Sequence, residues 1–462
     1  MTYVFFSYDG AIFSVAKKLM DEGNRVLVCQ IQNPDVLGVE SWVNDSESAE
    51  CKRRRLSLFD GILEKFTYAK MMSLLYAEKN KNNFFIFFDY NNMCKIAEKV
   101  LKMGYVNGLF PTTYDYKMEK DRKYAKNFVK QYYPEIKLKE TKQFSSVGDT
   151  IKFIEESEKI WVVKSDGNFA ETLVPDRDDL DMARKEVISE LLENKKEFEK
   201  GKIIVEEKII NAIEFTPQLI FYNGKPIYSQ IEIETRMLGC LDIGDQTGGN
   251  ENLIIHTELS DPINKIVFPP IVYEEASTRK GLYIRDAGIL SDGIDLYFTE
   301  FAGCRYGWGG IFSELSASMT TDLITDYFDK IVRGQDPYTY KYGTSLALYT
   351  LGYDHEFAGF PQSGIPVNIE DGYESDFFMY QVKKIKNRII TVGYRCFSSA
   401  PLGYVTGRGE TIESAVENLY THLKRFSLKG IYYRPESDFL SVENNKCILK
   451  RVEFLRENKL IS

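Results

Sequence analysis

Four short segments carry side chains that could bind a phosphate or a metal ion. The first covers residues 162–167, where a buried strand pattern ends in Lys164 and a turn. A lysine at the end of a strand supplies a compact positive charge that suits a phosphate. The alternative is a lysine that only extends its ammonium group into water, which is the more common arrangement.

The second segment, residues 203–210, is an apolar strand pattern that runs into Glu206 and Glu207 and is followed by Glu214. Its backbone could face the edge of an adenine, and a carboxylate could accept hydrogen bonds from ribose hydroxyls. An edge strand with solvated acids explains the same pattern equally well.

The third segment is the glycine-rich stretch 244–249, which contains Thr247, Gly248 and Gly249. Glycines let a backbone approach a ligand closely, and the threonine hydroxyl could contact a phosphate or an acyl group. A plain loop is equally consistent with these residues.

The fourth segment is the most informative, because it combines two acids and an arginine. Two apolar strands joined by Ser-Asp-Gly predict a hairpin, with Asp286 and Glu300 on neighbouring strands. Carboxylate oxygens there suit Mg²⁺ or Mn²⁺, and nucleotide phosphates and water complete the ligand set of Mg²⁺. Arg305 could hold a phosphate or carboxylate bidentately. The alternative is a structural ion pair between Glu300 and Arg305.

Composition limits the class of protein. A formal net charge of -9 and a pI near 5.3 argue against nucleic acid as a partner, since phosphate backbones are bound by clustered Lys and Arg. No apolar stretch is long enough to predict a membrane span. The seven cysteines are scattered without a Cys-x-x-Cys pair, which predicts reduced thiols and a cytoplasmic location.

The pattern of helices and strands around these segments predicts an α/β plus α+β protein of three domains. Strands at 3–6, 25–29 and 83–88 alternate with helices at 12–22 and 93–103, which predicts a Rossmann-like parallel unit over residues 1–110. Residues 111–333 predict a two-lobed α+β domain that begins with a helix over 118–132. After a linker at 334–337, residues 338–462 predict a smaller α+β domain.

Taken in order, these segments resemble the ATP-grasp enzymes, and within them the glycinamide ribonucleotide synthetase family. The family's Glu-Gly-Ser-Lys is similar to residues 119–122, with Arg122 in the place of the lysine, and its Val-Val-Lys-Ala-Asp-Gly resembles residues 162–167. Its Val-Ile-Glu-Glu-Phe-Leu-x-Gly-x-Glu resembles residues 205–214. Its Gly-Pro-Asn-Thr-Gly-Gly resembles residues 244–249, and its Ile-Glu-Phe-Asn-x-Arg-Phe-Gly resembles residues 299–307.

The resemblance implies a pre-ATP-grasp domain, a central ATP-grasp domain and a C-terminal domain, with ATP and Mg²⁺ (or Mn²⁺) as cofactors. It implies a carboxylate–amine ligase acting on small molecules through an acyl phosphate, as a monomer or dimer. The ATP contacts that the resemblance implies are Arg122, Lys164, Glu206, Glu207, Ile209 and Glu214. The substrate contacts that it implies are Thr247, Gly248, Gly249 and Arg305. It also implies catalysis by Glu300 and Arg305 and metal binding by Glu300 and Asp286.

The sequence also departs from the family's pattern, which leaves three functions open. The phosphate loop Leu-Ala-Ala-Gly-Lys-Gly-Val is replaced by residues 168–174 without its glycines or lysine, and the metal-binding Asn is replaced by Ala302-Gly303. The substrate segment Ser-Gln-Asp-His-Lys-Arg is kept only as Ser229, Gln230 and Arg236. A ligase of the family, a ligase for another acid and amine, and a nucleotide-binding pseudoenzyme are therefore the alternatives.

Overall fold

A computed structural model describes residues 1–39, 48–165, 170, 172–175, 177–303, 323–350, 363–393, 401–441 and 447–461. No helix among these residues has both the length and the apolar character needed to cross a membrane. The strands are β1 (Thr2–Ser7), β2 (Arg25–Gln30), β3 (Lys65–Phe66), β4 (Phe84–Phe88), β5 (Ile136–Leu138), β6 (Thr141–Phe144), β7 (Trp161–Ser165), β8 (Ile203–Glu207), β9 (Ile213–Tyr222), β10 (Lys225–Gly239), β11 (Ile243–Thr257), β12 (Leu282–Asp286), β13 (Ile289–Ser291), β14 (Leu296–Phe298), β15 (Tyr342–Thr350), β16 (Asn368–Ile369), β17 (Phe377–Met379), β18 (Val382–Ile385), β19 (Arg388–Thr391), β20 (Gly403–Gly409), β21 (Phe426–Ser427) and β22 (Ile431–Tyr432).

The α-helices fall mainly at the ends of the chain and before β7 and β8. They are α1 (Phe13–Asp21), α2 (Ala49–Leu56), α3 (Tyr68–Ala77), α4 (Cys94–Lys102), α5 (Thr113–Lys120), α6 (Arg122–Tyr132), α7 (Val147–Glu156), α8 (Leu180–Glu193), α9 (Lys195–Phe198), α10 (Pro262–Val267), α11 (Pro270–Ser277), α12 (Ile324–Val332), α13 (Ile412–Leu423), α14 (Glu436–Phe439) and α15 (Ile448–Glu457).

The first strands form the parallel sheet that the sequence predicts. Its order is β3-β2-β1-β4, and β1 pairs in parallel with both β2 and β4. Every residue of β1 and β4 is buried, which explains their continuous apolar sequence, since a parallel sheet is covered on both faces. The prediction of a parallel α/β unit near the start of the chain is confirmed.

The predicted helix over residues 118–132 is two helices, α5 and α6, separated at Asp121. Asp121 has φ −92° and ψ 85°, outside the helical region, and its carboxylate accepts a hydrogen bond from the backbone N–H of Tyr124 at 2.9 Å. This is the contact of an N-terminal cap, so Asp121 starts a new helix where periodicity alone predicts a continuous one.

The chain divides into two compact units. The first contains Met1–Ala125, Glu214–Gly288 and Glu300–Ser462, and the second contains Lys126–Ile213 and Ile289–Thr299. Within the first unit, one sheet has the order β12-β9-β10-β11-β15-β20-β17. β11 precedes the predicted linker at 334–337 and β15 follows it. The two strands pair directly, so one sheet contains residues from both sides of the linker. The division into three domains stays a prediction.

The second unit is built around the antiparallel sheet β6-β8-β7. Its core combines residues from these strands with α7, α8 and α9, among them Trp161, Val163, Leu191 and Val205. The predicted Ser-Asp-Gly hairpin is present as β13 and β14, and β14 also pairs with β5. The prediction that Asp286 and Glu300 lie on its two strands is wrong, because Asp286 ends β12, which pairs with β9, and Glu300 follows β14.

Candidate functional site

The second unit brings Lys164 and Glu206 together on one face of its sheet. Val163 and Val205 are opposite each other on β7 and β8 and enter the core, so the alternating residues Lys164 and Glu206 point to the other face. Glu206 is 2% exposed despite its charge. A buried carboxylate needs charged or hydrogen-bonding partners, and these partners define the candidate site.

Three lysines contact the carboxylate of Glu206, and together these four residues form what we name the lysine cluster. The nitrogen-to-oxygen distances are 2.6 Å for Lys126, 2.6 Å for Lys164 and 3.3 Å for Lys139. Burial alone would raise the pKa of Glu206, but attraction to Lys164, Lys139 and Lys126 outweighs it and holds the pKa well below its ordinary value. With all four groups ionised the cluster carries a net charge of +2, from three positive charges and one negative.

The lysine cluster is suited to bind phosphate. Each ammonium group has three N–H donors, so a contact to Glu206 uses only part of its capacity. The side chains of Lys126 and Lys164 are 20% and 18% exposed, which leaves them within reach of a ligand. A buried site with excess positive charge is the arrangement that phosphoryl-transfer enzymes use to neutralise nucleotide oxygens.

Sequence reasoning found Lys164 and Glu206 but not Lys126 or Lys139. Lys126 lies one helical turn after Arg122, the residue predicted to contact ATP, and residues four apart lie on the same helix face. Arg122 itself is exposed at the start of α6. An acid directly after the apolar run at 203–205 is the sequence signal that could have prompted a search for lysines that pair with it.

The other predicted ATP contacts lie outside the lysine cluster. Glu207 pairs with Lys159 at 2.9 Å, and Ile209 is half-buried in the turn after β8. Glu214 is exposed at the start of β9, in the first unit. Their contacts with adenine or ribose stay predictions.

In the first unit, the glycine-rich segment 244–249 belongs to β11, whereas the sequence suggests a loop. The hydroxyl of Thr247 donates to the backbone carbonyl of Arg236 at 2.6 Å and accepts from the N–H of Gly249 at 3.2 Å. The hydroxyls of Tyr404 and Tyr349 donate to the carbonyl of Gly249 at 2.9 and 3.4 Å. These contacts fix the backbone of the segment.

Gly249 cannot be replaced without strain. Its φ is +129°, which residues with a side chain rarely adopt, and an added Cβ would lie 2.4 Å from a carboxylate oxygen of Glu234. The glycine therefore permits both the backbone conformation and the approach of an acidic side chain. Gly248 lies on the same strand, β11.

Three carboxylates of the first unit affect the charge of Arg236 on β10. Glu234 lies 3.0 Å from its Nε atom, and attraction to Glu234 first, then to Glu214 and Glu300, raises the pKa of Arg236 above its ordinary value. Glu214, predicted to contact ATP, and Glu300, predicted to bind the metal, therefore both interact electrostatically with Arg236, a residue of the predicted substrate segment. Arg236 keeps its charge throughout the physiological pH range.

Asp286 and Glu300 occupy different environments. Asp286 is 5% exposed, and its Oδ1 atom accepts from the backbone N–H groups of Ala302 at 3.0 Å and Gly303 at 2.7 Å. Glu300 is exposed, and its backbone carbonyl accepts from Gly288 at 2.8 Å. Asp286 therefore anchors the chain that follows Glu300. Arg305, predicted to act in catalysis and substrate binding, lies outside the described residues.

The donor set of Glu300 and Asp286 fits magnesium only in combination with ligand oxygens. Among the residues that the structure describes, no three His, Cys, Asp or Glu side chains are grouped closely enough to hold a metal ion. Mg²⁺ commonly takes one or two carboxylates together with phosphate oxygens and water. Glu300 suits that role, while Asp286 already accepts backbone hydrogen bonds.

Comparison with known proteins finds similar folds among solved structures. No protein-family model matches the chain, and no curated protein matches its sequence. Among solved structures, phosphoribosylamine–glycine ligase from Thermotoga maritima is similar with a TM-score of 0.61 at 14% identity, over 94% of this chain and 100% of that chain. Biotin carboxylase from Campylobacter jejuni is similar with a TM-score of 0.56 at 12% identity, over 99% and 96% of the two chains. Likeness at such low identity shows that this chain shares the mixed α/β fold of these two enzymes, and a shared fold does not assign activity or substrate.

Proposed function

We propose that this protein is an ATP-dependent carboxylate–amine ligase with a reaction like that of phosphoribosylamine–glycine ligase. The observation that carries the proposal is the lysine cluster: three ammonium groups around one buried carboxylate, with a net charge of +2, in a chain whose fold is similar to that of phosphoribosylamine–glycine ligase. Solved neighbours include a biotin carboxylase in complex with "beta-gamma-ATP" and a carboxylase domain of Hydrogenobacter thermophilus with MgADP, which supports ATP and Mg²⁺ as cofactors.

In the proposed reaction an oxygen of the substrate carboxylate attacks the γ-phosphorus of ATP. The bond from that phosphorus to the β-phosphate oxygen breaks, which yields an acyl phosphate and ADP. The amine nitrogen then attacks the acyl carbon, loses a proton, and phosphate leaves. Lys126, Lys139 and Lys164 would neutralise the phosphate oxygens, and Glu206 would hold the three ammonium groups in place.

The carboxylates of the first unit would serve the metal. Glu300 would bind Mg²⁺, whose contribution when bound is to neutralise phosphate charge. Asp286 would keep Glu300 in position through the hydrogen bonds it accepts from Ala302 and Gly303. Thr247 and Gly249 would line the binding site of the carboxylic acid substrate.

A second candidate is a ligase for a different acid and amine, and the contacts of Ser229 and Gln230 favour it. Both residues are fully buried. The Ser229 hydroxyl contacts Thr257 at 2.8 Å, and the Gln230 amide lies between Gln218 and Tyr338, with which it forms hydrogen bonds. Because these groups bond within the protein, they are not available for the substrate contacts that the family resemblance implies.

The test is Mg²⁺-dependent release of ADP by the purified protein. ATP is supplied with glycine and freshly prepared phosphoribosylamine, and in parallel with a panel of carboxylic acids and amines. A second series replaces the amine by hydroxylamine, which traps an acyl phosphate as a hydroxamate and so reports the first half-reaction for any acid.

The outcomes separate the candidates. ADP formed only with glycine and phosphoribosylamine assigns the activity of phosphoribosylamine–glycine ligase, and ADP or hydroxamate with another acid assigns the second candidate. If no acid gives either product and calorimetry detects no ATP binding, the ligase proposal is wrong and a pseudoenzyme replaces it.

A further inference from the structure

Arg434 lies near the end of the chain, far in sequence from every residue predicted to act on substrate, yet it is fully buried. Its guanidinium group forms ion pairs with Asp438 and, at 3.3 Å, with Glu251 on β11. It also lies 3.4 Å from the Thr235 hydroxyl and 3.4 Å from the carbonyl oxygen of Met237, both on β10. One side chain therefore joins the C-terminal part of the chain to both strands of the β10–β11 pair.

The part of β10 and β11 beyond this point departs from regular pairing. The register shifts between Thr235 and Met237 and again between Met237 and Gly239. Such irregularities leave backbone groups without their usual strand partners, and buried backbone groups require replacement partners. The segment 244–249, with Thr247 and Gly249, lies in this irregular part.

Side chains supply those replacements. Asn250 donates to the carbonyls of Met237 and Leu238, each at 3.0 Å, and the hydroxyl of Tyr432 donates to Leu238 at 3.1 Å. Asp438 accepts from the backbone N–H of Leu241 at 3.0 Å.

Leu241 is held in a conformation that its side chain disfavours. Its φ is +59°, in the left-handed region that costs a residue with a Cβ atom about 1–2 kcal/mol. The turn between β10 and β11 therefore depends on the contact from Asp438, and Asp438 is itself paired with Arg434.

We propose that Tyr432, Arg434 and Asp438, which we name the C-terminal clamp, position the substrate segment 244–249, with Arg434 as the central positioning residue. Arginine suits this role because its planar group presents five donors in a fixed geometry, whereas a lysine presents a compact charge on a flexible chain. The role in catalysis rests on the proposed ligase function, whereas the effect on backbone mobility does not.

The test is hydrogen–deuterium exchange of the full chain carrying Arg434→Lys, which keeps the charge and removes the planar group. We expect amides in residues 239–249 to exchange at least about ten-fold faster than in the unchanged protein, while residues 217–233 stay within about two-fold. The matched control is Arg425→Lys, since Arg425 forms an exposed ion pair with Glu370 and should leave residues 239–249 unchanged. Unchanged exchange in a folded Arg434→Lys protein would overturn the proposal.

Arg434→Lys could also destabilise the whole protein, because Glu251 and Asp438 are buried. If exchange rises in every peptide, the variant Tyr432→Phe distinguishes a local effect of the clamp from global destabilisation. The Tyr432 side chain is 37% exposed, and this substitution removes only its hydrogen bond to the Leu238 carbonyl. Faster exchange confined to residues 237–241 supports the clamp, and unchanged exchange there refutes it.

Kinetics add a readout that a merely structural role would not change. With an acid and amine that support turnover, Arg434→Lys should raise KM for the acid and leave KM for ATP unaltered. A fall in kcat with both KM values unchanged would indicate only a loss of folded enzyme. Absence of ADP release by the unchanged protein would count against the ligase proposal, and the exchange result would still decide the clamp.

Discussion

Replacing Glu206 with glutamine should destabilise the second unit strongly. The substitution preserves shape but removes the negative charge that three ammonium groups share at 2.6, 2.6 and 3.3 Å. Removing one partner of a buried ion pair typically costs about 3–5 kcal/mol. Because Lys126 and Lys164 keep some solvent contact, we expect the lower end, about 3 kcal/mol at pH 7.

The destabilisation should depend on pH in a defined direction. The folded-state pKa of Glu206 is depressed, so its contribution is fully present above the unfolded pKa of about 4.3 and is lost as pH falls through the folded value. The glutamine variant has no such titration. The difference between the two proteins should therefore be largest near neutral pH and shrink progressively below about pH 4.

The assay is urea unfolding followed by the fluorescence of Trp161, which lies in the core of the second unit. Replacing Trp42 and Trp308 with phenylalanine makes this signal specific. Glu140→Gln is the matched control, because Glu140 pairs with Lys142 and Lys159 at an exposed position, where ion pairs contribute little. If Glu206→Gln shifts unfolding no more than Glu140→Gln at pH 7, the electrostatic account of the cluster is refuted.

Three further predictions concern function and backbone strain. Lys164→Met should weaken ATP binding in calorimetry by about 10–100-fold through loss of one phosphate-neutralising charge, whereas Lys159→Met, on the same unit but outside the lysine cluster, should not. Gly249→Ala should lower stability by about 2–3 kcal/mol in thermal unfolding, because φ is +129°, and Gly334→Ala, at φ +70° in open space, should cost less. Glu300→Gln should abolish ADP release while circular dichroism and the unfolding temperature stay unchanged, and undiminished turnover would remove this residue from the mechanism.

Local chemistry made much of the fold predictable. The apolar runs at β1 and β4 and the Ser-Asp-Gly hairpin were identifiable because burial and turn preferences act over a few residues. The break at Asp121 was not, because a capping contact competes with helical periodicity over a single residue. Pairing of β11 with β15 was also beyond sequence reasoning, since two strands nearly 90 residues apart carry no local signal of their register.

The candidate site was predictable only where a residue's own pattern was unusual. In the sequence pattern Lys164 ends a buried strand and Glu206 directly follows an apolar run, so both residues stand out. Lys126 and Lys139 look like ordinary surface lysines in sequence, because their importance comes from the carboxylate they contact. The same reason hides Arg434, whose partners lie on strands nearly 200 residues earlier.

The composition of the lysine cluster links stability to the proposed chemistry. Three lysines without an acid would repel one another in a poorly solvated site, and three acids would neutralise the charge that a phosphate requires. One buried glutamate lies between these limits: it allows the lysines to approach each other, and the four residues together keep a net charge of +2. Because the lysines and Glu206 are already arranged in the folded protein, a nucleotide would bind to charges that are already oriented. Preorganised charges of this kind stabilise the charge that develops in a transition state.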